Sequence, residues 1–409
     1  MSMPTPDFWW SAVTGPQAFA KAVAGVLLEG RMALAAVPDD LPWRQSMRSE
    51  ILARIREGSA SSDTYIETVD AQEDCPDPAT IGTFLLERFG SRQVAGSWRP
   101  RSGKSIQRYL ADNRVLAGKI LWIKGIAPGQ APAWTAFCRG FGRPSPETGL
   151  FVVECAESVP DDARSCFAVV DFARYVSGFD VQMLAALGLA RQEQPLPKLW
   201  QRYAAAAAAQ LAGFDAELAE ALLDPECTAS AACWRSQDPL DMLARIADWP
   251  AFARRGRGPG SRHALAHLRL GRPDELAKRV WTAQIQVLFP IIEMQRTRLV
   301  DHLRPQLEEA LDRLRVEQFG ARLDSPDELE FGTLVYLLAL RTPEGEREVY
   351  VPDEALRETV HSLRDARNLL AHRHQRCTPA QIDFILERES RALGLDWTPL
   401  QPSQQGAAS

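Results

Sequence analysis

The chain has few of the residues that hold a fold together covalently or through a metal. Its seven cysteines (75, 138, 155, 166, 227, 233 and 377) are odd in number and include no Cys-x-x-Cys pair. Disulfide frameworks and thiolate zinc sites need paired spacing, so these thiols read as reduced, buried small side chains of a cytoplasmic protein. Long apolar runs are missing too, and none approaches the roughly 18 residues of a membrane span. The first residues lack the charged-then-apolar pattern of a secretion signal, so neither export nor a membrane is expected. Nor is there a surplus of positive charge: 47 Lys and Arg face 53 Asp and Glu, a net charge of −6. That balance excludes a chain that coats nucleic acid through its overall charge and leaves room for a local basic site.

What is present is ordinary globular material, 45% apolar and 24% charged over 409 residues. That is enough for two or three domains, each with its own core. Up to residue 190, short apolar runs alternate with helical patterns. Strands are predicted at Met32–Val37, Tyr65–Val69, Lys119–Ile126, Leu150–Cys155 and Cys166–Val170. Helices are predicted at residues 17–29, from Trp43 to about Arg56, and at Ile81–Phe89, Ser105–Val115 and Ala131–Gly140. Unbroken apolar runs separated by helices imply a parallel sheet covered on both faces, a three-layer α/β domain over residues 1–190.

This order of elements, followed by an all-helical region, resembles a P-loop ATPase core of the AAA or STAND type. The phosphate loop departs from the family. After the first strand the chain reads Val37-Pro38-Asp39-Asp40-Leu41-Pro42-Trp43-Arg44, with no glycine, no lysine and two acidic residues. Such a loop repels a triphosphate instead of cradling it. After the third strand, where an acidic residue would organise magnesium, stands Lys124-Gly125-Ile126-Ala127. The resemblance therefore implies a degenerate domain that does not hydrolyse nucleotide, and no cofactor is expected. Gly103-Lys104-Ser105 copies half of a phosphate-loop motif. The glycine required five residues upstream is Trp98, so this stretch reads as a basic loop that starts a helix.

Residues 191–275 lose the strand pattern. The run Ala204–Ala209 is the strongest helix former available, Leu211–Leu223 extends it, and Leu240–Ala247 and His263–Leu270 follow. The segment resembles a helical lid or winged-helix piece behind an ATPase core. Its loop 254–262 carries Arg254, Arg255, Arg257 and Arg262, candidates for electrostatic contact with nucleic acid. His263 and His267 stand at i and i+4, but no third ligand follows nearby, so no metal site is expected.

Residues 276–395 read as a helical bundle. A long stretch, 276–315, is interrupted by Pro290 and Pro305, with kinks expected at both. Further helices are expected from Pro326, from Pro352 and over Pro379–Leu393, and the residues after 395 as a disordered tail. The helix from Pro352 carries Arg367-Asn368-Leu369-Leu370-Ala371-His372-Arg373-His374. An Arg followed by a polar residue, with a His four to six residues further on near the end of a helical domain, resembles the signature of the HEPN family. Four residues separate Arg367 from His372, six separate it from His374, and Asn368 fills the polar place. The resemblance implies an all-helical, dimeric, metal-independent endoribonuclease with Arg367, Asn368, His372 and His374 in the catalytic site.

The residue chemistry fits that assignment. Metal-free RNA cleavage needs a base, an acid and positive charge on the phosphorane; His supplies the first two and Arg the third. On an ideal helix, residues seven apart differ by about 20° in direction and residues five apart by about 140°. Arg367 thus shares a face with His374, and shares one with His372 only if the helix ends there. Glu293, on the long helix, is a further candidate catalytic residue, and Arg364 and Arg373 are candidates for RNA contact. With 20 acidic residues against 17 basic ones over residues 276–395, the charge must be focused locally. The whole reads as a sensor joined to a ribonuclease effector, as suits antiviral defence, with RNA, a second copy of the bundle and a protein of a defence system as partners. The alternative is a non-catalytic scaffold in which the bundle only dimerises.

Overall fold

Five strands pair in one parallel sheet: β1 (Ala33–Ala36), β2 (Tyr65–Asp70), β3 (Lys119–Lys124), β4 (Leu150–Cys155) and β5 (Ala168–Asp171). Their order across the sheet is β2-β3-β4-β1-β5. β1 lies between two neighbours, with Ala33 opposite Val152 on one side and Ala168 on the other. All four residues of β1 and the first five of β4 are buried, which is why these strands read as unbroken apolar runs instead of alternating ones. The computed structural model describes residues 6–58, 64–100, 103–126, 130–142, 145, 147–155, 167–192, 195–224, 233–257, 261–318, 320–351, 353–371 and 375–394. It divides into two compact units, residues 2–184 and 185–409.

In the first unit, helices cover both faces of the sheet. Leu34, Leu121, Ile123, Phe151 and Val153 point to one side, against α4 (Ile81–Phe89), α6 (Ile106–Asp112) and α7 (Ala131–Arg139). The alternate positions face α1 (Pro6–Ala12), α2 (Thr14–Leu28) and α3 (Arg44–Gly58), where Trp9, Trp10, Phe19 and Phe172 are fully buried or nearly so. Three helices were not predicted: α1, α5 (Arg92–Ser97) and α8 (Gly178–Ala190), the last crossing the unit boundary. The start of α8 is tied to α2 through Asp180, whose Oδ1 accepts the Gly15 amide at 2.9 Å. A Cβ on Gly15 would lie 2.6 Å from the Tyr175 carbonyl, so only glycine permits this approach.

Among the described residues, the regular structure of the second unit is helical apart from one hairpin of two short strands. In chain order it contains α9 (Lys198–Ala212), α10 (Ala216–Leu223), α11 (Cys233–Ser236), α12 (Pro239–Ala247), α13 (Ala264–Arg269), α14 (Pro273–His302), α15 (Arg304–Arg313), the strands β6 (Glu317–Gln318) and β7 (Ala321–Arg322), α16 (Phe331–Ala339), α17 (Glu354–Ala371) and α18 (Pro379–Ala392). Residues 195–224, 233–257 and 261–275 contain no strand. Helix α9 buries every alanine from 204 to 209, and these small side chains let it pack closely against α14. The helix expected to continue to Leu223 stops at Gly213, at φ 64°, and Asp215 caps α10 by accepting the Leu218 amide at 3.0 Å.

Helix α14 runs for 30 residues and continues through Pro290, while Pro305 sits in the first turn of α15 and the chain breaks at Leu303. Polar clasps fasten α14 along its length. Gln284 donates to the Cys377 carbonyl at 3.0 Å and accepts the Cys377 amide at 2.8 Å. Trp281 Nε1 donates to the Leu370 carbonyl at 2.9 Å, and Arg298 reaches both oxygens of buried Glu389 at 2.7 and 3.1 Å. No helix among the described residues is long and apolar enough to cross a membrane. The cysteines at 75, 138, 155, 233 and 377 are free, while 166 and 227 lie outside the described residues. Burial pushes the Cys155 and Cys377 thiols up to about 12, so neither is a nucleophile at neutral pH.

Candidate functional site

Open α/β sheets bind ligands outside the carboxyl ends of their strands. Here that place is filled by the protein's own side chains. Glu154, near the end of β4, is 5% exposed. It forms an ion pair with Arg44, the first residue of α3, accepts Trp122 Nε1 from β3 at 2.6 Å, and lies 3.4 Å from Arg48 Nη2. Arg44 also donates to the carbonyls of Pro38 and Asp39, both at 2.7 Å, and so pins the loop after β1 against the start of α3. The Arg48 guanidinium stacks 5.6 Å from the Trp122 ring, and burial pulls its pKa down from the ordinary arginine value. The loop carbonyls face a guanidinium where a phosphate cradle would present amide hydrogens to an anion. At the end of β3, Lys124 is paired to Asp70 at 2.9 Å. These residues do not fit a magnesium-bound triphosphate.

In the helical unit, the motif predicted to be catalytic begins on the last turns of α17. Asn368 is exposed, and Arg367 is half-buried with its Nη2 3.6 Å from Glu330 Oε2. The helix is described as far as Ala371; His372, Arg373 and His374 lie outside the described residues. Glu293 accepts Arg296 Nε at 2.8 Å on α14, and Arg296 Nη1 donates to the Leu329 carbonyl at 2.8 Å. Two arginines from different helices, Arg296 and Arg367, therefore meet consecutive residues, Leu329 and Glu330, and Glu293 joins the same cluster. Arg364 is turned to Asp365, which accepts its Nε at 2.9 Å.

The basic loop divides. Arg254, Arg257 and Arg262 are exposed, whereas Arg255 is folded inward onto Glu217 and Asp215. It is a structural cation and not a free contact for nucleic acid. The correction has a plain cause: the acidic partners sit about forty residues upstream, in a pattern that local charge counting does not see. His263 is engaged at both nitrogens. Its Nδ1 accepts the Leu265 amide at 3.2 Å, which leaves Nε2 to donate to buried Asp215 at 3.0 Å. Among the described residues no group of three His, Cys, Asp or Glu side chains is placed to hold a metal.

The sequence reading missed Arg44, Arg48, Trp122 and Glu154. A signal was there, because a carboxylate in the run Leu-Phe-Val-Val-Glu-Cys of a buried strand needs a cationic partner.

No family model matches the chain, and no curated protein matches it. Among solved structures it is similar to the Orc1 protein of Aeropyrum pernix in complex with DNA, at 15% identity, over 95% of this chain and 96% of that one, with a TM-score of 0.35. It is also similar to a variant of RuvB from Thermotoga maritima, at 15% identity, over 67% of this chain and 88% of that one, with a TM-score of 0.34. The first unit is an α/β domain with a parallel sheet, and the remainder is predominantly helical.

Proposed function

We propose that the chain is a sensor joined to an effector: the ATPase-like unit does not hydrolyse nucleotide, and the helical unit is a HEPN-like, metal-independent endoribonuclease. The observation that carries this reading is the convergence of Arg296 and Arg367 on the consecutive residues Leu329 and Glu330. Two guanidiniums near one point grip a phosphodiester, and Arg367 stabilises the charge of the pentacoordinate phosphate. In this reading His372 serves as base or acid, with His374 as its partner. Exposed Asn368 orients the scissile group. Glu330 holds Arg367 until RNA displaces it.

The Arg44–Glu154–Arg48 network supports the other half of the proposal, since it occupies the end of the sheet with internal charge. A signal then reaches the effector through a partner protein, as in defence systems, and a homodimer through the helical bundle brings two motifs together. The Arg367–Glu330 pair also favours a second reading, in which Arg367 is only structural and the bundle is a scaffold.

Cleavage of RNA in EDTA by wild type, Arg367→Ala and His372→Ala separates the two. The nuclease reading expects products with 2′,3′-cyclic phosphate ends. It also expects losses of about 10²–10³-fold for Arg367→Ala and about 10²–10⁴-fold for His372→Ala, in variants that remain folded. Equal cleavage by all three refutes this site, and silence from all three favours the scaffold.

A further inference from the structure

From Trp249 to Pro273 the sequence holds six arginines and no Asp, Glu or Lys, in a chain of net charge −6. The fold gathers them around one short helix. Arg269, the last residue of α13, donates Nη2 to the Phe252 carbonyl at 2.8 Å and Nη1 to that of Arg255. The loop that carries Arg254 and Arg257 is thereby fastened to the helix. Gly256, at φ 71°, permits this approach, since a Cβ there would lie 2.5 Å from the Ala266 nitrogen. Arg279, from α14, donates to the carbonyls of Leu211, at 3.0 Å, and of Arg262, and so fixes the residue before the cap of α13.

These guanidiniums are held by neutral carbonyls, which orient a cation without cancelling its charge. Arg257 does the same, its Nε donating to the Ala253 carbonyl at 2.8 Å. Of the six, Arg255 is the one neutralised, by Asp215 and Glu217. Among the described residues, Arg254, Arg257, Arg262, Arg269, Arg272 and Arg279 form no ion pair with a carboxylate, and the first five are exposed. Of the flanking carboxylates, Glu275 is taken up by Lys278 at 2.8 Å, which leaves Asp248 and Asp274 at the two ends of the segment. Burial, and then the charge of Arg279, hold the His267 pKa below the ordinary histidine value; Glu275 opposes them and Arg272 adds to them. The charge felt at α13 is therefore positive.

Two features choose the partner. Exposed cations stand at both ends of α13, whose six residues span about 9 Å, a distance over which a nucleic-acid strand presents more than one phosphate. A lone phosphate would engage only part of this surface. Large apolar side chains are also scarce, Leu270 being the exposed one among the described residues from 249 to 279. A protein interface centres on apolar anchors, and a helix lying on a membrane needs an apolar face, so this surface matches neither. The guanidinium fork, by contrast, fits a phosphodiester.

We propose that the surface around α13 binds the phosphate backbone of a nucleic acid without reading its sequence. Arg254, Arg257, Arg262 and Arg272 make the contacts, and Arg269 and Arg279 add charge fixed on main-chain carbonyls. The proposal does not rest on cleavage at the Arg367 cluster. Duplex DNA has no 2′-hydroxyl for that chemistry and so reports binding alone.

The test is fluorescence anisotropy of the full chain in EDTA, over a range of KCl, with labelled single-stranded RNA, duplex RNA and duplex DNA of equal length. His372→Ala is used for the RNA titrations, so that no ligand is consumed. At least one nucleic acid is expected to bind, with an affinity that falls linearly with salt on logarithmic axes. The tightest binder of the three names the nucleic acid that this surface holds. The fourfold variant Arg254→Gln, Arg257→Gln, Arg262→Gln, Arg272→Gln is expected to bind about tenfold or more weakly at low salt, with a slope flatter by about three. A second fourfold variant, Arg31→Gln, Arg108→Gln, Arg174→Gln, Arg322→Gln, changes the net charge equally at exposed residues elsewhere and is expected to bind as wild type. Thermal melts report the folding of both. The proposal is overturned if wild type binds none of the three at low salt, or if the two fourfold variants lose affinity alike. It is also overturned if vesicles of phosphatidylserine and phosphatidylcholine bind more tightly than every nucleic acid.

Discussion

Single residues carry unequal weight in this chain, and Glu154 carries a large share. It pairs with both Arg44 and Arg48 at the end of the sheet. Removing it takes a buried carboxylate from two partly buried guanidiniums, so Glu154→Ala is expected to destabilise the first unit by about 3–5 kcal/mol. Glu154→Gln keeps an acceptor for Trp122 and is expected to cost less; urea denaturation measures both. Glu220 on α10 works the other way. Burial, followed by the charges of Glu217 and Asp224, pushes its pKa from 4.5 up to about 8. Between these two values the folded chain holds a proton that the unfolded chain has released, so this residue makes stability fall as pH rises through that window. Glu220→Gln should therefore melt with wild type at pH 4 and above it at pH 8; equal melting at both would contradict the assignment. The sequence displayed Glu154 inside an apolar run but gave no sign of Glu220, whose shift comes first from burial that only the folded helices impose.

At the scale of elements, the parallel strands were legible to within about two residues, because burial on both faces imposes unbroken apolar runs with turns at each end. The helices that escaped notice lack such a signal. Helix α8 is apolar on most sides and shows no stripe, and α5 is a six-residue turn opened by the Ser91 cap. Pro290 does not end its helix. Its missing amide costs an isolated helix about 3 kcal/mol, yet α14 continues because Leu288, Ile291 and Ile292 are buried around it and the clasps at Gln284 and Gln295 hold both halves. Pro290 itself is exposed. Pro290→Ala is accordingly expected to raise the midpoint of thermal unfolding, whereas Thr378→Ala, which opens the capping box of α18, is expected to cost about 1 kcal/mol. A lower midpoint for Pro290→Ala would show that the proline is needed for the path of α14.

For the whole molecule, the chain's own pattern conveyed the division into an α/β part and a helical part. That Arg296 and Arg367 reach the consecutive residues Leu329 and Glu330 was not legible, since it joins helices seventy residues apart in sequence. The inward turn of Arg255 is non-local in the same way. The central claim is that one chain joins an ATPase-like unit that does not hydrolyse nucleotide to a metal-free ribonuclease. The most direct measurement follows RNA cleavage by the purified chain in EDTA and, in a parallel reaction with magnesium and ATP, the release of phosphate. The account predicts RNA cut to 2′,3′-cyclic ends in the first reaction and no phosphate above background in the second. Steady ATP hydrolysis that Arg44→Ala abolishes, or RNA cleavage that requires magnesium, would contradict it.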